Sequence, residues 1–170
     1  RGVHTIKGNH FTDDGLRYVG QLKKLRYLDL SVNYQLTDAG LRHLESLKQL
    51  EHLDLSGCRR FTDACGKSLA QLTSLRTLKL RQTSFTPDIL TALSQLPELK
   101  YLSVNNNKGM WLDKKTIVPL EKMPLEELVN LRIKDENLPL IARLKSLKSL
   151  PFEQDRSIKD DQLSYLIHIR

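Results

Sequence analysis

At 170 residues, with 39% apolar and 28% charged residues, the chain has ordinary globular composition and enough length for one sizeable core. Its longest apolar runs, such as 163–169, fall far short of the roughly 18–20 residues that span a bilayer, so no transmembrane segment is expected. Two cysteines, Cys58 and Cys65, cannot make the disulfide framework of a small secreted domain and point to an intracellular, reducing compartment, while the net charge of +7 raises the question of an anionic partner.

Self-similarity decides the fold, because a period of 20–50 residues marks a stacked architecture. Leu28-Asp29-Leu30-Ser31 returns as Leu53-Asp54-Leu55-Ser56, 25 residues on. The first unit runs through Ile6, Asn9, Thr12-Asp13 and Leu16. The second runs through Leu28, Leu30, Asn33, Thr37-Asp38, Leu41, Leu44 and Leu47, and the third through Leu53, Leu55, Cys58, Thr62-Asp63, Leu69 and Leu72. The fourth has Leu78, Leu80, Phe85-Thr86-Pro87-Asp88 and Leu93, and the fifth opens on Leu102-Ser103-Val104. Each Leu-x-Leu alternates as a half-buried strand must. Each Thr-Asp stands where the spacing changes to three or four, so that the hydroxyl caps a helix and the carboxylate faces its positive end.

Residues 105–124 break the pattern and predict a longer loop; beyond it either Leu125 or Leu131 can take the Leu28 slot. The last units realign through Ile133 and Ile158, with helix starts at Asp113, Lys134 and Lys159 and a final strand at Leu150-Pro151-Phe152. The chain opens without Met or a signal-peptide pattern. It is expected to be a single domain over 1–170 within something larger, with partial units at both ends.

The Leu-x-x-Leu-x-x-Leu-x-Leu-x-x-Asn/Cys runs at 25–53 and 50–58 resemble the leucine-rich repeat. The Thr-Asp-x-Gly-Leu helix start and Cys58 in the Asn slot look most like the cysteine-containing subclass of F-box substrate receptors and related bacterial or parasite proteins. The resemblance implies an α/β fold, a right-handed solenoid of about seven units of roughly 25 residues, with a concave parallel sheet and helices on the convex side. Asn9, Asn33 and Asn107 are expected in the amide slot, the fourth unit shows no Asn there, and Cys65-Gly66 in place of Gly40-Leu41 should weaken the third helix.

The carboxylates recur once per unit at cap positions, which is a structural pattern rather than a catalytic array. The five histidines show no metal-ligand spacing, Cys58 and Cys65 no Cys-x-x-Cys, and no phosphate loop or nucleophile elbow is present. No catalytic residue, metal or cofactor is therefore expected. Lys23, Lys24, Lys48, Lys122, Arg143, Lys145 and Lys148 fall at helix ends, where the dipole explains them without a ligand.

With Leu28 and Leu30 inward, alternate strand residues face out. The partner-binding set is accordingly Tyr27, Asp29, His52, Asp54, Lys79, Arg81, Tyr101, Ser103 and Asn105, with Thr77 among them. Trp111 is a second contact point, or else it closes the core in the slot of Phe61 and Phe85. The leading expectation is a non-catalytic protein-recognition or scaffolding module with a protein partner. The alternatives are a structural subunit that meets RNA or another polyanion along a basic edge, and the substrate-reading part of a ubiquitin-ligase-type enzyme whose catalytic part lies outside the chain.

Overall fold

The computed structural model describes residues 4–104 and 111–151, together with Ser164. The Leu-x-Leu segments form strands β1 (Thr5–Lys7), β2 (Tyr27–Asp29), β3 (His52–Asp54), β4 (Thr77–Lys79) and β5 (Tyr101–Ser103). Beyond them lie β6 (Trp111–Leu112), β7 (Glu127–Val129) and β8 (Arg132–Ile133). Strands β1 to β5 and β7 make one parallel sheet in chain order, and β6 pairs with β8 in a small second sheet. Ile6, Leu28, Leu53, Leu78, Leu102 and Leu128 pair laterally, so successive units measure 22, 25, 25, 24 and 26 residues. A bridge from Glu127 to Ser149 adds a seventh rung.

The slot expected for Leu125 or Leu131 therefore belongs to Leu128. Leu125 aligns instead with Leu25, Leu50, Leu75 and Leu99, three residues ahead of each strand, and Leu131 is buried just after a left-handed Asn130 (φ 63°). Three leucines at a spacing of three gave periodicity nothing to choose with, because this strand lacks the second Leu of Leu-x-Leu.

Opposite the sheet run α1 (Asp13–Val19), α2 (Asp38–Arg42), α3 (Gly66–Ala70), α4 (Ile89–Leu93) and α5 (Ile117–Glu121), closed by a 3₁₀ segment at Asp135–Arg143. Leucines from both layers, such as Leu16, Leu28, Leu41, Leu53, Leu69, Leu78 and Leu93, are fully buried in a single core. The third helix is kept but split, with a 3₁₀ turn at Asp63–Cys65 leading into α3. Gly66 explains the exchange, since a Cβ there would lie 2.8 Å from the Ala92 Cβ of α4.

The Thr hydroxyls cap as expected: Thr12 accepts from Gly15 N–H, Thr37 from Ala39 N–H and Thr62 from Ala64 N–H. The Asp beside each does more than face a dipole, because it reaches forward one unit. Asp13 accepts from the Thr37 N–H (2.9 Å) and hydroxyl (2.6 Å), and Asp38 from the same groups of Thr62 (2.8 and 2.6 Å). Asp63 accepts from the Thr86 N–H at 3.0 Å and from its hydroxyl. Gly40 makes room, since a Cβ there would lie 2.3 Å from Asp13 Oδ1. Pro87 stands where the next Asp would be, and the ladder stops.

A second ladder fills the amide slot. Asn33 donates to Gly8 O and Leu30 O and accepts from Phe11 N–H, Cys58 Sγ donates to Leu30 O, and Thr83 supplies the fourth unit by donating to Leu80 O. Asn9, expected in this slot, is exposed, because the short first unit shifts it out. Asn107, Phe152, Ile158 and Lys159 lie outside the described residues.

Asp38→Ala is expected to lower the unfolding free energy by about 1–3 kcal/mol in urea titration, since it leaves the Thr62 N–H and hydroxyl without their charged acceptor. Leu53→Ala, which opens a cavity between sheet and helices, is expected to cost about 2–5 kcal/mol. Unchanged stability in the first variant would remove the ladder from the account, and in the second the repeat register.

Candidate functional site

The outer face of the sheet carries two full columns. The first is Thr5, Tyr27, His52, Thr77, Tyr101 and Glu127, and the second is Lys7, Asp29, Asp54, Lys79, Ser103 and Val129. The register follows directly from the repeat, so residues 25 apart stand side by side about 5 Å from each other.

In the second column the charges are spent on the fold. Lys7 pairs with Asp29 at 3.2 Å and Lys79 with Asp54 at 3.5 Å. Each carboxylate also accepts from the backbone two residues on, at Ser31 N–H and Ser56 N–H, both at 2.9 Å. Burial pushes the Asp29 pKa upward, but the Ser31 hydrogen bonds and Lys7 outweigh it and hold it below 3.8. Asp29 (5% exposed) and Ser103 (1%) are buried, which corrects their reading as contact residues. Asp54 and Lys79 remain half-exposed or more, but as a closed pair rather than as free charges.

The first column is different. The rings of Tyr27 and His52 lie 5.9 Å apart at 35°, and Tyr101 is half-exposed on the same line. Arg81, two residues beyond Lys79, is exposed and has no hydrogen-bond or ionic partner among the described residues. Tyr27, His52, Thr77, Tyr101 and Arg81 are thus the reachable part of the expected set; Asn105 lies outside the described residues.

Trp111 does not close the core. Leu112, fully buried, takes the Phe61 and Phe85 slot, and Trp111 on β6 is 38% exposed. The Arg132 guanidinium and the Lys134 ammonium stand 5.6 and 5.9 Å from its ring centre. Together with Lys114 and Lys115 it borders an open cavity of about 540 Å³ in which Lys134 faces Glu136 at 4.0 Å. Lys115 meets Asp88 at 2.6 Å.

Two further cavities escaped the reading of the sequence. One of about 330 Å³ is lined by Lys7, Gly8, Asn9, Asp29, Ser31 and Val32, and one of about 390 Å³ lies between the Asn9–Thr12 and Val32–Gln35 loops. The signal was present in the spacing. Thr12 follows Ile6 by six residues, whereas Thr37 follows Leu28 and Thr62 follows Leu53 by nine.

Along the helix-end edge the cations are mostly engaged. Lys23 donates to Gly20 O (2.7 Å) and Lys48 to Gln71 O (2.6 Å), both at helix C-caps, where the dipole is negative. Arg143 forks onto Glu121, and Glu126 sits between Lys100 (2.7 Å) and Lys148 (2.8 Å). The hydrogen bonds from those two lysines take the Glu126 pKa from 4.5 down to about 2. Burial pushes the Cys58 thiol up to about 11 and raises that of Cys65 as well, so both are inert. Among the described residues no group of three or more His, Cys, Asp and Glu could hold a metal, and no helix is long and apolar enough to cross a membrane.

With sheet, ladders and outer face established, the chain is a leucine-rich-repeat protein: residues 23–70 match the family model for leucine-rich repeats in two copies. It is similar to internalin C2 from Listeria monocytogenes str. 4b F2365, with a TM-score of 0.56 and 25% identity over 98% of this chain and 74% of that one. It is also similar to a leucine-rich-repeat protein of Leptospira interrogans, with a TM-score of 0.58 and 24% identity over 96% of this chain and 39% of the other. A chain of the yeast Rad7–Elc1 complex shares the fold at a TM-score of 0.63 and 16% identity, over 92% of this chain and 42% of that one. This chain thus spans about two fifths of the length of the last two. No curated protein matches it in sequence.

The Glu126 pair of lysines sets a pH dependence. A carboxylate whose folded pKa lies below its unfolded value of 4.5 contributes stability that is complete above that value. The contribution disappears as pH falls toward about 2. Thermal unfolding between pH 6 and pH 2 is expected to show a fall that is smaller in Glu126→Gln; an equal fall in both proteins would place the acid sensitivity elsewhere.

Proposed function

We propose that this is a non-catalytic protein-recognition module whose concave face binds a protein partner through Tyr27, His52, Thr77, Tyr101 and Arg81. Leucine-rich repeats generally serve protein–protein interaction, and the likeness to such proteins supports the class of function. The observation that carries the site is the contrast between the two columns. One has its charges closed into pairs, while beside it Arg81 stands exposed without a partner, next to two tyrosines and a histidine. Tyr and Arg are the side chains that most often anchor interfaces, through rigid area and planar donors that lose little entropy. The partner expected is a protein surface that presents a carboxylate toward Arg81.

A polyanion along the basic edge is the weaker reading. Lys23, Lys48, Arg143 and Lys148 already serve helix-end carbonyls or carboxylates of their own chain. A substrate-reading role beside a catalytic part outside residues 1–170 draws support only from the shared fold with a chain of the Rad7–Elc1 complex.

The test is a pull-down from native extract at low and moderate salt, comparing the wild type with Arg81→Glu/Tyr101→Ala. A discrete protein held at moderate salt and lost in the double variant, with the unfolding midpoint unchanged, is the expected outcome. Retention of nucleic acid alone, removed by salt equally from both proteins, would transfer the function to the basic edge.

A further inference from the structure

We infer that the shortened loop of the first unit leaves a second binding groove, distinct from the concave columns, that takes an uncharged, extended peptide segment of a partner protein bearing an aromatic or branched aliphatic side chain. The inference starts from how the other units close their loops. After β2 the chain turns through Val32 in the left-handed region (φ 62°), and after β3 through Gly57 (φ 80°). Val32 N–H donates to Ser56 O and Gly57 N–H to Arg81 O, both at 2.7 Å, so each loop is docked on the next. The first unit is three residues shorter than the second, and Gly8 N–H on Asp29 O is the last bond of the series before the chain leaves for Phe11 and α1.

Two consequences follow at the same place. The Ser31 carbonyl, which by repetition should receive an N–H from the first unit, is met only by Asn33 Nδ2 at 3.4 Å among the described residues. The flank of the second loop is bare as well: Val32 is 44% exposed and Tyr34 is 58% exposed. The two cavities of about 330 and 390 Å³ occupy this space and share Asn9 and Val32, so they form one continuous groove. One wall carries the waiting carbonyl and the other the half-buried Phe11 ring with Tyr34.

A backbone N–H is what Ser31 O lacks, and peptide is the polymer that offers one next to a side chain of the right character. Charge narrows the choice further. In a chain of net charge +7, the groove is lined by neutral groups apart from His10 and the Lys7–Asp29 pair, which is already closed at 3.2 Å. A charged occupant would find no counter-charge, so the complementary segment is neutral. Val32 adds an independent sign. A β-branched residue in the left-handed region is strained where Gly57 in the matching position is not, and backbone strain held at an exposed apolar side chain between two cavities is the pattern of a contact residue.

The probe is a displayed library of random twelve-residue peptides without Asp, Glu, Lys or Arg, with enriched peptides made in acetylated and amidated form and measured on the full chain by calorimetry and by amide chemical shifts. The expected peptide moves the amides of Gly8, Val32 and Tyr34. It loses affinity about tenfold or more in Tyr34→Ala and binds Arg81→Glu as it binds the wild type, so that this groove and the concave face stand or fall separately. Val32→Gly is expected to raise the thermal midpoint while weakening the peptide, a combination that a purely structural residue does not give. Failure of any neutral peptide to enrich, or shifts confined to Tyr101 and Arg81, would overturn the inference. So would self-association of the chain that Tyr34→Ala abolishes, since the occupant would then be a second copy.

Discussion

A unit of this size cannot complete itself: its Leu-x-Leu strand has one apolar face, and its loops leave polar backbone groups that a buried position does not tolerate. Both needs are met by the neighbouring unit. Asp13, Asp38 and Asp63 each hold the N–H and hydroxyl of the Thr that caps the next helix. Asn33 holds the carbonyl of Gly8 in the unit before it. The side chains that begin one helix therefore depend on the placement of another, and the sheet, the helix row and the spacing of the outer columns are set together.

The same constraint determines what is left for a partner. Wherever units repeat faithfully, polar groups are consumed internally, as with Lys7 and Asp29, Asp54 and Lys79, or Lys48 and the α3 carbonyl. Groups remain available where the repetition lapses. Arg81 has neither of the acidic neighbours that Lys7 and Lys79 have, and Ser31 O faces a unit three residues short. Trp111 is turned outward where residues 105–110 lengthen the fifth unit.

Much of this could be read from the sequence, for identifiable reasons. Alternation in Leu28-Asp29-Leu30 and the 25-residue return fixed strands, register and core, and Thr before Asp marked the helix starts. The forward reach of each Asp was not legible, because its partner lies 23 or 24 residues away and the capping role alone accounts for its presence. Parity placed Asp29 and Ser103 on the correct face but says nothing of burial, which depends on what covers that face. Leu128 was missed because Leu125 and Leu131 share its spacing, and Trp111 because Leu112 beside it fills the core slot better.

The account rests on the ladder from Asp to Thr, and native-state hydrogen exchange tests it most directly. An amide held by a neighbouring unit opens only when the two units separate, so the N–H groups of Thr37, Thr62 and Thr86 should exchange as slowly as those of Leu30 and Leu55 in the sheet. Exchange of the three threonine amides at the rate of exposed loops, with the sheet protected, would contradict it and would leave the units joined by their leucines alone.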